Sequence, residues 1–132
     1  MKVLNSLYVA AFFAIILASC KKDNKNNNQE SRAIRYEITG NYTGKLNIVF
    51  TDEAGNFQTL TNVSLPWNKS FTAGTGMQSA TLTASTTSTS TVGVAGQTAT
   101  ANLYIGTVLK KTVTQTADAT GRIQFGNIIH VF

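Results

Sequence analysis

Few side chains in this sequence are suited to covalent or acid–base chemistry. The 132 residues hold one cysteine, Cys20, and one histidine, His130. Nucleophilic catalysis needs a base within reach of the nucleophile, and that base must be oriented by a third group. His130 stands among Ile128, Ile129 and Val131 with no such set near it in sequence, and it reads as an ordinary strand residue. Asp52 and Glu53 are adjacent carboxylates, but successive strand residues point to opposite faces, and acids in turns are ordinarily solvated. Calcium would want about six to eight oxygen ligands, and Asp52, Glu53 and Asn56 supply few of them. Gly40, Gly44, Gly55, Gly74, Gly76, Gly93 and Gly96 fall where turns are needed and form no phosphate-binding pattern. The expectation is a protein that is not an enzyme and carries no cofactor or metal.

That leaves the thiol of Cys20. Lys2 is the only charge before the run from Val3 to Leu17, in which Asn5 and Ser6 are the only polar residues, and Leu17-Ala18-Ser19-Cys20 closes it. A basic start, an apolar stretch and small residues before a cleavage point are the plan of an export signal. The run is shorter than the roughly 20 apolar residues that cross a bilayer, so it reads as removed rather than spanning. Leu17, Ala18, Ser19 and Cys20 resemble the lipobox of bacterial lipoproteins. In that motif a diacylglyceryl group alkylates the cysteine, which becomes the new N-terminus after cleavage. The residue types fit the chemistry, because only a thiol makes the thioether and only small side chains enter the peptidase cleft. Acyl chains contribute about 0.8 kcal/mol per buried CH₂, enough in combination for stable anchoring. The reading is therefore a cleaved lipoprotein signal over residues 1–19, a lipidated cysteine with a polar tether over 20–32, and a folded domain over 33–132. It places the protein in the cell envelope, lipid-anchored, on the outer membrane, with the periplasmic and surface sides both open.

The elements behind the anchor are set by composition and periodicity. From Lys21 to Arg32 there is no apolar residue, and a stretch that cannot bury apolar surface does not offset its ordering entropy, so a flexible tether is expected. The chain as a whole is 42% hydrophobic and 13% charged with a net charge of +5, which suits a small globular domain better than a polyelectrolyte. From residue 33 onward six Lys/Arg face four acids, spread along the chain, so nucleic acid is not an expected partner. Ile34, Tyr36 and Ile38 alternate with Arg35, Glu37 and Thr39, and Leu46, Ile48 and Phe50 alternate with Lys45, Asn47 and Thr51. This period of two marks half-buried strands. The turn cluster over 52–56 predicts a hairpin across 44–63, and Gly106-Thr107 predicts another between 98–105 and 108–116. A last strand is predicted from Gly121 through Ile123 and Phe125. About seven short strands with regular turn signals argue for an all-β antiparallel sandwich. The Ser/Thr tract over 81–91 is read as an exposed strand edge or loop.

Several stretches resemble the periplasmic domain of the MmpS family of small mycobacterial membrane proteins. They are Tyr36-Glu37-Ile38-Thr39-Gly40, Asp52 to Asn56, Thr61 to Phe71 and Ala101 to Gly106. The most specific part is Leu65-Pro66-Trp67 with Phe71 four residues on, and the resemblance runs over about residues 34–126. It implies an immunoglobulin-like β-sandwich and a role as accessory subunit to an RND-type (resistance-nodulation-division) membrane transporter that exports lipid or siderophore-like cargo. Members of that family are usually anchored by a transmembrane helix and often carry a cysteine pair in the sandwich, whereas this chain has a lipobox and no cysteine after Cys20. Pro66, Trp67 and Phe71 are the residues to place: a buried Trp67 is a core anchor, and one exposed with Phe71 and Tyr104 is an aromatic patch for a partner. A cell-surface structural or adhesive module, and a carrier of a hydrophobic small molecule between the sheets, are the alternative readings.

Overall fold

The computed structural model describes residues 29–132, so the signal, cleavage and lipidation expectations at Leu17, Ala18, Ser19 and Cys20 lie outside the described residues. Eight strands follow one another: β1 (Ala33–Gly40), β2 (Leu46–Thr51), β3 (Phe57–Val63), β4 (Trp67–Thr72), β5 (Ser79–Ser85), β6 (Thr98–Ile105), β7 (Val108–Thr116) and β8 (Ile128–Val131). They form two antiparallel four-stranded sheets, β4-β1-β6-β7 and β3-β2-β5-β8. The two predicted hairpins are β2–β3 and β6–β7.

The connectivity is immunoglobulin-like with one departure. β1, β2, β3, β4, β5 and β8 occupy the places of strands B, C, C′, E, F and G in that sandwich. The place beside B, which strand A fills there, is taken by β6, reached late in the chain through the β6–β7 hairpin. This is the hairpin predicted at Gly106-Thr107, and the sandwich has eight strands where about seven were expected.

Alternation explains the core. On β1 the side chains of Ile34, Tyr36 and Ile38 are buried, as are Ala99, Ala101, Leu103 and Ile105 on β6 and Leu46, Ile48 and Phe50 on β2. Small alanines on β6 leave room for Tyr36 and the larger side chains opposite, so the layers interdigitate. Two predicted features are revised. The closing strand is only Ile128–Val131, because residues 121–127 form a loop that touches the sheet through an isolated bridge from Gln124 to Ser85. Ile123 and Phe125 are buried all the same. The Ser/Thr tract is also not an edge: residues 81–85 belong to β5, an interior strand flanked by β2 and β8, and only from Thr86 does the tract become loop. Thr has strong strand propensity through its β-branch, and Leu82 and Ala84 supply the buried face.

All four sheet edges are blunted. β3 carries a bulge around Asn62, which sits at φ 56°, β4 turns Lys69 toward the core side, opposite Tyr36, β7 has a bulge and two lysines, Lys110 and Lys111, and β8 is four residues long. Each is a known defence against edge-to-edge pairing. At the end away from the chain entry, Tyr42 is the organiser. Its buried hydroxyl donates to the Gly121 carbonyl at 3.0 Å and accepts the Gly93 N–H at 3.2 Å, with Thr86 Oγ1 at 2.8 Å. Gly121 has φ 74°, and a Cβ there would collide with the Gly93 backbone, so only glycine brings these loops together.

Candidate functional site

The residues singled out in sequence fall on the β3–β4 connection. A cis peptide joins Leu65 to Pro66, and β4 starts at Trp67 immediately after. Antiparallel register sets Trp67 opposite Ile38, Lys69 opposite Tyr36 and Phe71 opposite Ile34. Directly opposed residues share a face, so the three side chains look toward the core from an edge strand. Pro66 is exposed, while Trp67 and Phe71 are half-buried and packed against the core cluster. An aromatic chain runs through it: Trp67 to Phe50 at 5.6 Å between centroids, Phe50 to Tyr36 at 5.9 Å, and Tyr36 to Phe71 at 5.7 Å. Tilted pairs at such distances each contribute about 0.5–1.5 kcal/mol beyond area burial. Trp67 and Phe71 thus close one side of the sandwich while keeping part of each ring at the surface.

Tyr104 does not join them. It is opposite Arg35 on the other face of the same sheet, with the Arg35 guanidinium 3.8 Å from its ring centroid. The three-membered aromatic patch considered from sequence is therefore not formed, because the register puts Tyr104 out of phase with Trp67 and Phe71. That outer face is instead a polar ladder, in which Asn102 donates to Glu37 at 3.2 Å and accepts from Thr112 at 2.7 Å.

Under the aromatic chain lies a hydrogen-bonded node. The buried Tyr36 hydroxyl is 2.8 Å from Thr51 Oγ1 and donates to the Thr51 carbonyl at 3.2 Å. Thr51 Oγ1 also accepts the Thr81 N–H at 3.0 Å, replacing the backbone partner lost where β2 ends. Burial pushes the Tyr36 phenol up, and the hydrogen bond from Thr51 acts against that shift.

A second cluster, invisible to local motifs, surrounds the point where the chain enters the fold. The Glu30 carboxylate takes Lys110 Nζ at 2.6 Å and lies 3.1 Å from His130 Nε2. His130 Nε2 makes no aligned hydrogen bond in this contact. The hydrogen bond from Lys110 first, and the close approach of His130 second, hold the Glu30 carboxyl below its ordinary range. Next to it the Arg32 guanidinium donates to the Met77 carbonyl at 2.7 Å and to that of Gly74, and rests 4.3 Å over the Phe132 ring. His130 meets Phe132 edge-on at 5.2 Å. The histidine is thus a structural neighbour of the entering chain. Glu30 and His130 are far apart in sequence, and no spacing rule links them.

The acidic turn is likewise satisfied internally. Asp52 accepts from the N–H groups of Ala54 and Asn56 and from the Gln58 amide. Desolvation raises the Asp52 carboxyl, but the hydrogen bonds from Asn56, Gln58, Ala54 and Gly55 outweigh it and leave it lowered. Among the described residues no three His, Cys, Asp or Glu side chains gather in a metal-binding group. Among them, too, no helix is long and apolar enough to cross a membrane.

A search of curated proteins finds none that matches. The profile of the Mycobacterium membrane protein family does match, over residues 5–102. The match takes in most of the N-terminal apolar run and continues through β1 to β5, ending inside β6. It therefore reaches further toward the N-terminus than the resemblance read over residues 34–126, and it stops short of β7 and β8. With about three quarters of its length matched, and with the two-sheet architecture in place, the chain belongs to the MmpS-type Mycobacterium membrane protein family.

Proposed function

We propose that the protein is a lipid-anchored accessory module of the cell envelope, held to the membrane through Cys20 and acting by binding rather than catalysis. The observation that carries this reading is the span of the family match, which joins the apolar N-terminal run and the sandwich in one unit. Membrane association follows from the family. The diacylglyceryl anchor is our reading of Leu17-Ala18-Ser19-Cys20. On this reading an RND-type transporter, exporting lipid or siderophore-like cargo, is the partner. The carrier alternative gains little support, since Tyr36, Phe50, Leu82 and Leu103 fill the space between the sheets where a ligand would need a cavity.

The test is crosslinking in living cells, followed by pull-down through the C-terminus, with Cys20→Ala as the control that releases the anchor. Recovery of an inner-membrane exporter or its envelope partners from the wild type and not from the variant supports the proposal. Recovery of no transport component, together with protease accessibility on whole cells, overturns it in favour of a surface module. Mass spectrometry of the mature N-terminus reads the anchor separately, as a diacylglyceryl adduct on Cys20.

A further inference from the structure

Where the chain enters the fold, one carboxylate is shared between the edges of the two sheets. Glu30 Oε1 takes Lys110 Nζ at 2.6 Å, and Glu30 Oε2 lies 3.1 Å from His130 Nε2. Lys110 is on β7, an edge of the first sheet, and His130 is on β8, an edge of the second. Register sets His130 opposite Ala80, whose side chain is in the core, so the imidazole turns inward along its edge. The Arg32 guanidinium rests 4.3 Å over the Phe132 ring, and Phe132 in turn meets His130 edge-on at 5.2 Å. Arg32 is itself held by the Met77 and Gly74 carbonyls. His130 and Arg32 are thus placed by packing that does not involve Glu30.

Glu30 fills this place imperfectly. His130 Nε2 is buried yet makes no hydrogen bond among the described residues, whereas a carboxylate well seated between two cations forms short, aligned bonds to both. A buried polar atom without a partner is costly, and native structures retain few of them. A carboxylate that arrives from outside, free of the covalent path that fixes Glu30 two residues before Arg32, can align on both Lys110 and His130. We propose that the seam between β7 and β8 is a carboxylate-binding site, filled in cis by Glu30 and taken over by an acidic side chain of a partner polypeptide. The site is built from β7, β8 and the entering chain, so it does not depend on the anchor or on the transporter.

Displacement leaves the fold intact. The backbone grip on the entering chain begins after Glu30, where the Ala73 N–H donates to the Arg32 carbonyl at 2.8 Å and the Gly106 N–H to the Ala33 carbonyl at 2.7 Å. Glu30 can therefore swing out while Arg32 keeps its place. The ligand class follows from the occupant, a carboxylate with one oxygen toward each sheet. Once Glu30 leaves, the site is cationic: among the described residues neither Lys110 nor His130 has another acid in reach, and Lys111 forms no ion pair. The other acids at this end of the sandwich do not compete, since Asp52 is engaged by its own turn and Glu53 has no ion pair among the described residues. A ligand on a short linker has an effective concentration in the millimolar range, so dilute free carboxylates do not dislodge Glu30. An acidic residue carried in on a docked partner does.

The test is competition between the cis carboxylate and an added one. The full chain in detergent micelles is titrated with the peptide acetyl-Gly-Ser-Glu-Ser-Gly-amide, and the imidazole NMR signals of His130, the single histidine of the chain, report binding. Glu30→Gln saturates at a peptide concentration about tenfold below that of wild type, the ratio for a site that Glu30 holds about nine-tenths of the time. Adding Lys110→Gln to Glu30→Gln abolishes the response, and Trp67 emission checks that each variant is folded. Equal saturation of wild type and Glu30→Gln overturns the proposal, as does an equal response to the peptide with Gln in place of Glu, or no response from His130 in either chain. Saturation of Glu30→Gln by inorganic phosphate at lower concentration than by the peptide assigns the site to phosphate and overturns the acidic polypeptide. Each of these outcomes leaves the anchor and the transporter to be judged by the crosslinking in cells.

Discussion

Thr51→Val removes one oxygen from the core and nothing else of consequence, since valine keeps the branched shape. Thr51 Oγ1 accepts the Thr81 N–H at 3.0 Å and lies 2.8 Å from the Tyr36 hydroxyl, with the Ser79 carbonyl 3.4 Å away as an acceptor. Tyr36 retains the Thr51 carbonyl at 3.2 Å, so its loss is partial, about 0.5–1 kcal/mol. The Thr81 N–H falls back on the Tyr36 hydroxyl, and a buried donor that loses its main partner costs about 1–3 kcal/mol. The new methyl group returns part of this by apolar contact, leaving a net destabilisation of about 2–3 kcal/mol. For a domain of about 100 residues each kcal/mol moves Tm by roughly 4–8 °C, so the variant melts about 10–20 °C lower. Thermal unfolding followed by Trp67 fluorescence and far-UV circular dichroism measures the shift. Tyr36→Phe added to Thr51→Val should cost less than Tyr36→Phe alone, because the shared bond is already gone. A Tm within a few degrees of wild type, or strict additivity of the two changes, would refute the role assigned to the node.

Trp67→Ala should destabilise by about 2–3 kcal/mol, below the full cost of a buried tryptophan because the ring is half-exposed; urea denaturation checks it. Lys69→Val removes the charge that β4 turns inward opposite Tyr36, and the expected outcome is self-association through that edge, read by sedimentation velocity, with little loss of stability. The carboxyl of Asp118 is lowered by hydrogen bonds from the Thr120 side chain and then the Arg122 and Thr120 N–H groups, and that of Asp52 is lowered as described above. A carboxyl whose folded value is depressed contributes stability above its unfolded value, 3.8 for Asp, and the contribution is lost as pH falls through the folded value. The amides of Ala54, Asn56, Thr120 and Arg122 should therefore stay protected down to about pH 4 and lose protection relative to their intrinsic exchange rates below it, and protection that persists fully at about pH 2 counts against these turns being carboxylate-held.

The strands were legible in the sequence because alternation is a local property. Ile34, Tyr36 and Ile38 announce an inward face whatever they pack against, and the turn residues over 52–56 and at Gly106-Thr107 announce hairpins between chain neighbours. The stretches that carry the resemblance to the family, from Tyr36 to Gly106, were likewise local strings. What the sequence alone could not settle was everything that depends on which strand lies beside which. The Ser/Thr tract looked like an edge because composition does not say whether a strand has one neighbour or two; β2 and β8 supply both. The strand predicted from Gly121 is loop until Ile128, since the Gly121 backbone is drawn to Gly93 and Tyr42 instead of to a ladder. Tyr104 and Trp67 look like partners in a list of aromatics, yet pairing register through β1 puts them on opposite faces of one sheet. Glu30, Lys110 and His130 meet only after β7 and β8 are brought to the point of chain entry. The sequence by itself determined most of the elements and which of their faces turn inward. The tertiary structure decided the neighbours, because long-range pairing is fixed by the combined burial and hydrogen bonding of both sheets and by no short stretch of residues.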